Sequence, residues 1–141
     1  MKQLRPLILF WIGGLLYVLI ELTVRGRTHW SMFIVGGLAF FLIGFINEKC
    51  KKMPLAKQML IGALVITTLE FTCGCIVNLW LGWHVWDYSN MPFNLLGQIC
   101  LPFTAIWFFY QLSQLCLMII FDTSCGARRF HITNYFRLEV D

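Results

Sequence analysis

Four long apolar stretches dominate the sequence and restrict what the chain can fold into. They run from about Pro6 to Val24, Ser31 to Asn47, Met59 to Gly82 and Leu95 to Phe121. An α-helix needs about 20 apolar residues to cross the roughly 30 Å hydrocarbon core of a bilayer. We therefore predict an all-α integral membrane protein with four transmembrane helices.

The composition supports this prediction and excludes other classes of protein. Apolar residues make up 59% of the chain and charged residues 13%. A soluble domain of this size cannot bury that much apolar surface, so the excess is expected to face membrane lipids. Disordered chains are polar and poor in aromatic residues. The net charge of +4 is spread along the chain, which argues against nucleic-acid binding.

The basic residues predict the orientation in the cell membrane. With four spans both termini share a side, and nine of the eleven Lys and Arg residues fall on that side. By the positive-inside rule this side is cytoplasmic. The loops 25–30 and 83–93 are then external. The nine basic residues are Lys2, Arg5, Lys49, Lys51, Lys52, Lys57, Arg128, Arg129 and Arg137.

The predicted organisation is a four-helix transmembrane domain over residues 1–124 and a cytoplasmic tail over 125–141. The tail alternates basic and aromatic residues, which favours contact with the anionic cytoplasmic leaflet. The external loop between helices 3 and 4, W-H-V-W-D-Y-S-N-M-P-F, is unusually aromatic. We expect it to lie in the membrane interface or to dip back into the protein.

Glu70 is the sharpest candidate for a functional residue, because it falls near the middle of the third span. An ionisable side chain at that depth is costly and is often functional. Helical spacing places Thr67, Glu70, Gly74 and Asn78 on one face. This face is either the polar wall of a pocket or a structural hydrogen-bonded cluster between helices. We expect Glu70 to bond polar groups of the first or fourth helix, such as Gln98.

Charged residues also meet at the external end of the first span. Glu21 precedes Arg25 by four residues, the spacing of a favourable ion pair on a helix. The pair is either local, or Glu21 faces the same cavity as Glu70 with Arg25 or Arg27 as its counter-charge. His29 then closes the hairpin as a member of the site or as an interface anchor.

The densest polar segment precedes and enters the fourth span. Asp87 and Tyr88 are candidates for the mouth of a pocket, and Asn94 and Gln98 for its wall. Asn94 also suits the N-cap of the fourth helix, and Pro102 is expected to kink that helix. Gln111 and Gln114 lie deeper and are expected to hydrogen-bond between helices or to contribute to the site.

Other chemistry is not indicated by the motifs. The chain has no phosphate-binding G-x-x-x-x-G-K-S/T, no H-E-x-x-H and no G-x-S-x-G, so we expect no ATPase, protease or hydrolase activity. The six cysteines lack paired zinc-binding motifs, and we predict no metal and no cofactor. The glycine pairs at 13–14 and 36–37 suit close helix packing, within the chain or in a homo-oligomer.

Three motifs then suggest a family. The stretch E-x-x-x-G-x-x-x-N at 70–78, W-D-Y-S at 86–89 and P-F-N-x-x-G-Q-I-C-L at 92–101 resembles the ABC-transporter type IV, or CmpB-like, membrane family. The hairpin R-G-R-T-H-W-S-M-F-I-V-G-G resembles the transmembrane protein 229 branch of that group. Many relatives carry Pro-Ile-Tyr-Gly where this chain has F-I-V-G-G at 33–37. The resemblance implies a permease and a shared fold.

We therefore predict a transport-like protein, a permease or permease subunit, with an externally open polar pocket. It is expected to form a homo-oligomer, and an ABC permease would need a separate ATPase docked on the link from Glu48 to Gln58. Two alternatives remain. One is a protein that binds lipid head groups or acts on them as a membrane enzyme, with Asp87, His29, His84 and Arg27 as acid, base and phosphate clamp. The other is a structural or regulatory membrane module.

Overall fold

The computed structural model describes residues 4–50 and 53–124, which form an up-and-down bundle of four long helices. The third helix continues without a break into a single π-helical segment. The predicted tail, 125–141, lies outside the described residues. The elements are α1 (Arg5–Arg25), α2 (Trp30–Lys49), α3 (Leu55–Gly74), the π-helix (Cys75–Trp80) and α4 (Leu101–Ser124).

Each of the four helices is long and apolar enough to cross a membrane, so the predicted all-helical, multi-pass architecture is confirmed. The part of the chain that the structure describes contains no strand, only an isolated bridge between Leu95 and Ile99. One end of the bundle carries the links 26–29 and 81–100. We call it the aromatic end, and the end with the link 50–54 the opposite end.

The predicted start of the fourth span is wrong by six residues. Residues 95–100 are not helical, and α4 begins at Leu101. Pro102 therefore lies in the first turn, where its missing N–H leaves no helical hydrogen bond unmade, and it starts the helix instead of kinking it. Asn94 is too far from Leu101 to be its N-cap.

Glycines bring α1 and α2 into close contact. A Cβ atom on Gly13 would lie 2.2 Å from the Cβ of Phe40, and one on Gly36 would lie 2.3 Å from the Cβ of Tyr17. Only glycine permits this approach, and the packed side chains fill the space on both sides. The glycine pairs are thus used inside the chain, so they do not provide a free surface for a homo-oligomer.

The two ends of this hairpin are fixed by short-range contacts. Gly26 ends α1 in a left-handed conformation, with φ of 69°, and its N–H bonds the carbonyl of Leu22. His29 is the N-cap of α2, where its Nδ1 accepts from the N–H of Ser31 at 3.3 Å. The link between the helices is therefore short, as predicted.

Candidate functional site

Glu70 is buried in the middle of the bundle and is held from two sides. One carboxylate oxygen accepts a hydrogen bond from the hydroxyl of Tyr17 on α1, and the other accepts from Nε1 of Trp107 on α4 at 2.9 Å. The two rings stack with centroids 5.0 Å apart. The expected partners from the first and fourth helices are present. Gln98, which the sequence suggested as an example of such a partner, does not bond Glu70.

Gln98 instead bonds Asn78, the other polar residue predicted on the face of Glu70. Nδ2 of Asn78 donates to Oε1 of Gln98 at 2.8 Å, and Oδ1 of Asn78 accepts from the N–H of Val85 at 2.7 Å. Asn78 lies in the π-helix, whose wider turn is often found at functional sites. Gly74 leaves room for Gln98, because an added Cβ would lie 2.6 Å from Oε1 of Gln98.

The segment 81–100 folds back over the aromatic end of the bundle. The indole of Trp86 is buried and donates to the carbonyl of Gln98 at 2.9 Å. Tyr88 is also buried, with its ring stacked on that of Phe103 at 4.7 Å. Two aromatic side chains of this segment are therefore inserted into the bundle, and the re-entry of the loop into the membrane stays a prediction.

Asp87 and Asn94 organise this segment locally. Oδ1 of Asp87 accepts from the N–H and from the hydroxyl of Ser89. These two hydrogen bonds, the side-chain one first, hold the pKa of Asp87 below its usual value. Nδ2 of Asn94 donates to the carbonyls of Ser89 and Met91, and its Oδ1 accepts from the N–H of Gly97. Both side chains shape the loop and are exposed to solvent.

Glu21 and Arg25 form the predicted i,i+4 ion pair. Glu21 is only 4% exposed, and its second oxygen accepts from the hydroxyl of Thr28 at 2.9 Å. The guanidinium of Arg25 also lies over the rings of Trp86 and Tyr88, 5.8 and 5.7 Å from their centroids. The pair is thus part of the packing between α1 and the folded segment, and is more than a surface contact.

A cleft of about 220 Å³ opens beside this ion pair at the aromatic end. Its wall combines acidic, basic, imidazole and aromatic groups. Trp30 and Trp83, with ring centroids 6.2 Å apart, are both largely exposed at this end. The cleft is lined by Glu21, Arg25, Arg27, Thr28, His29, Trp83, His84 and Val85.

The predicted site residues therefore fall into three groups. Glu21, Arg25, Arg27 and His29 line the cleft, and Asp87, Tyr88 and Asn94 belong to the folded segment. Glu70, Asn78 and Gln98 lie in the buried core, and Glu70 is not among the residues that line the cleft. Arg25 connects the groups, because it lines the cleft and covers the rings of Trp86 and Tyr88.

Tyr17 and Trp107, the two partners of Glu70, were missed by the sequence analysis. Each is an aromatic residue in an apolar span, where such residues usually only pack. A signal existed, since a buried Tyr hydroxyl or Trp indole N–H needs a hydrogen-bond partner and Glu70 is the nearest expected acceptor at mid-span. Choosing among the Trp and Tyr residues of the spans requires knowledge of which helices face each other.

The contact between α3 and α4 is polar along most of its length. Thr67 and Thr104 bond each other through their hydroxyls at 3.3 Å, next to the bond from Trp107 to Glu70. Nearer the opposite end of the bundle, a Cβ added to Gly62 would lie 2.3 Å from the carboxamide of Gln111. We call this contact the polar seam. It comprises Gly62, Thr67 and Glu70 of α3 facing Thr104, Trp107 and Gln111 of α4, and it continues at the aromatic end through Gly74 and Asn78, which contact Gln98.

The fold and the site together define a four-helix polytopic membrane protein with a buried carboxylate. Residues 7–125 match the family described as "Putative ABC-transporter type IV", and the chain belongs to this family. The family predicted from the motifs is thereby confirmed, whereas the relation to the transmembrane protein 229 group stays a prediction. No solved structure matches the chain.

Proposed function

We propose that this protein is a permease, or the membrane subunit of one, with a polar pocket that opens at the aromatic end. The single observation that carries the proposal is Glu70, a carboxylate buried in the middle of the bundle. Ionisable residues inside a membrane are costly and mark ion, proton or substrate pathways. Membership of an ABC-transporter-type family supports the same class of function.

The partners of Glu70 suit a group that gains and loses a proton. As a carboxylate, it accepts from both Tyr17 and Trp107. When one oxygen is protonated, the hydroxyl of Tyr17 can rotate and accept instead of donating, while Trp107 still donates to the other oxygen. Both protonation states of Glu70 therefore keep one hydrogen bond to Tyr17 and one to Trp107 without movement of the helices.

The cleft supports entry of a small polar solute from the aromatic end, which we place outside the cell. Glu21 with Arg25 and Arg27 offers both signs of charge, and His29 adds an imidazole ring that can donate or accept a hydrogen bond. A mixed wall of this kind favours zwitterionic or neutral polar solutes over simple ions. Arg25 lines the cleft and lies over the buried rings of Trp86 and Tyr88, so its displacement is the step that would open a way inward.

A permease of the ABC type would need an ATPase partner. The family suggests a separate ATPase subunit, and the link from Glu48 to Gln58 is the surface on which it would dock. This link is short and basic, without a helix of its own in the described residues around it. A secondary carrier or channel is therefore the form of permease that we favour.

The test compares cells that express the wild-type chain with cells that express Glu70→Gln at equal membrane abundance. Untargeted mass spectrometry of cells and medium measures which small molecules change compartment. We expect at least one polar solute to shift with the wild type and to return to the control level with Glu70→Gln. Unchanged uptake after ATP depletion would separate a carrier from an ABC permease. Identical profiles in all cells would overturn the proposal.

A second candidate function is binding of lipid head groups at the same cleft. The observation that favours it is the exposed pair Trp30 and Trp83, since tryptophan is enriched at the level of the head groups. Arg27 and His84 line the cleft beside them and suit a phosphate. Native mass spectrometry distinguishes the two, because a lipid retained by the wild type and lost in Arg27→Gln favours this function. A structural or regulatory role is the remaining alternative.

A further inference from the structure

Four carboxamide side chains in the half of the bundle near the opposite end carry unpartnered polar atoms. All four are more than nine-tenths buried. Among the residues that the structure describes, no hydrogen bond reaches Nδ2 of Asn47, Oε1 of Gln58, or either end of the carboxamides of Gln111 and Gln114. Gln58 uses only its Nε2, which donates to the carbonyl of Met53 at 2.9 Å.

The helix register brings three of these side chains to neighbouring levels, whereas Asn47 lies further towards the opposite end. The carboxamide of Gln111 lies against Gly62, one helical turn from Gln58, so α4 and α3 meet here with polar groups on both sides. Gln114 is on the same face of α4, three residues further on. On α2, Asn47 follows by three residues Gly44, whose added Cβ would lie 3.3 Å from Met118 of α4.

Unpartnered groups of this kind are expensive in a bundle surrounded by lipid. A buried carboxamide that makes no hydrogen bond loses its full solvation, and no water in the lipid replaces it. Methionine fills nearly the same volume without that cost. Gln58 of α3 and Gln111 and Gln114 of α4 carry such groups at neighbouring levels of the same helix contact, so one partner can serve all three.

We propose that Gln58, Gln111 and Gln114 form a hydrated binding site that takes small neutral hydrogen-bonding molecules, with water as its resident ligand. The chemistry of the donor set carries the choice of ligand. Each carboxamide offers both donors and acceptors and no charge, which matches water and excludes a tight site for an ion. Buried waters in proteins typically make about three hydrogen bonds, which the unpartnered atoms of these three carboxamides can supply.

The site extends the polar seam beyond Glu70 to the opposite end of the bundle. Thr67 and Thr104 lie between Glu70 and Gln111, and their hydroxyls continue the line of polar groups. Hydration of the three carboxamides stands on their own geometry. Its role as the second half of a path for solutes or protons rests on the proposed permease function.

Solid-state NMR of the full chain in bilayers tests the site with water as the probe. Magnetisation transferred from water to side-chain amides labelled with 15N reports carboxamides that contact water. We expect the side-chain signals of Gln111 and Gln114 to receive this transfer. Gln111→Met and Gln114→Met each remove one pair of signals, which assigns them, and both variants should fold because methionine preserves the packing.

The matched control is Leu112→Gln, which places the same carboxamide on the exposed side of α4 next to Gln111. Its signal should receive no transfer. Absence of transfer to Gln111 and Gln114, while the exposed side-chain amide of Asn94 receives it, would overturn the proposal. The result is independent of solute movement. If the metabolite shift of the wild type survives in Gln111→Met, the site is hydrated but not on the path. Absence of any shift defeats only the permease function.

Discussion

The contact between α1 and α2 and the contact between α3 and α4 represent two ways of packing helices in a membrane. The first is built from glycines and aromatic side chains, with Gly13 against Phe40 and Gly36 against Tyr17. The second is the polar seam, with Glu70 at its centre. Lipid is as apolar as the side chains of a helix, so helices associate there by close packing or by hydrogen bonds. This chain uses each in a separate half.

The difference indicates which half can change its arrangement. At Gly13 and Gly36 of the α1–α2 hairpin, an added Cβ would meet another Cβ or a backbone atom. Such contacts cannot shift without moving a helix. In the seam a carboxamide or hydroxyl can rotate and exchange one hydrogen bond for another. We infer that the hairpin is the rigid frame and the seam the adaptable part. The following predictions test this comparison, from the largest effect to the smallest.

Replacement of Glu70 by alanine should be the most damaging change. It leaves the hydroxyl of Tyr17 and the indole N–H of Trp107 buried without an acceptor, at about 1–3 kcal/mol for each. Glu70→Gln keeps an acceptor for Trp107 and offers Tyr17 a donor, so it should unfold within about 1 kcal/mol of the wild type. Reversible unfolding in mixed micelles measures both. Equal losses in the two variants would show that the charge itself holds the seam.

Gly13→Ala should destabilise the hairpin by about 1–3 kcal/mol, the usual effect of overpacking. The added Cβ would overlap the Cβ of Phe40 at 2.2 Å and the carbonyl oxygen of Gly36 at 2.7 Å. Gly44→Ala is the matched control in the same helix pair, because its Cβ would meet only the flexible ends of Leu9 and Met118 at 3.3 Å. The same unfolding measurement applies. A rigid frame requires the first variant to lose clearly more stability than the second.

Gly62→Ala should lower the free energy of unfolding by less than about 1 kcal/mol, although the added Cβ would overlap its neighbour as severely as at Gly13. The atoms met at 2.3 Å belong to the carboxamide of Gln111, which no hydrogen bond holds in place among the described residues. The side chain can rotate away, whereas Phe40 cannot. If Gly62→Ala proves as harmful as Gly13→Ala, the seam is as rigid as the hairpin and the comparison fails.

The smallest effect concerns Asp87 in the folded segment. Its pKa is lowered by the hydrogen bonds from Ser89, so the stabilisation is present at neutral pH and is lost as the pH falls through the lowered pKa. Ser89→Ala removes the side-chain hydrogen bond and should move the pKa of Asp87 back towards its usual value. Carboxyl 13C NMR titration measures the shift. A pKa that stays unchanged would mean that the backbone N–H alone sets it.

Several features of the fold were predictable because they depend on local sequence. The length of the apolar stretches defined the four helices, and the spacing of Glu21 and Arg25 defined their ion pair. The start of α4 was mispredicted because residues 95–100 are apolar enough to extend a span. The backbone of these residues is instead held out of a helix by hydrogen bonds within the folded segment 81–100, such as the one from the N–H of Tyr88 to the carbonyl of Gly97.

The candidate site was only half predictable for a related reason. Glu70, Asn78 and Gln98 stood out as polar residues in apolar surroundings. The pairing of Asn78 with Gln98, and of Glu70 with Tyr17 and Trp107, joins residues at least 20 positions apart. Two of these partners, Tyr17 and Trp107, are aromatic residues, which occur in membrane spans for many reasons besides hydrogen bonding to a carboxylate.

The sequence by itself determined that this chain forms four membrane-crossing helices with a carboxylate near mid-span, because helix length and burial cost depend only on local composition. Only the tertiary structure decided which faces meet. The spans are apolar nearly all round, so no amphipathic stripe in the sequence tells a helix which side to turn inward. That choice is made by the fit of Gly13 and Gly36 to their neighbours and by the hydrogen bonds to Glu70, which exist only when the helices are together.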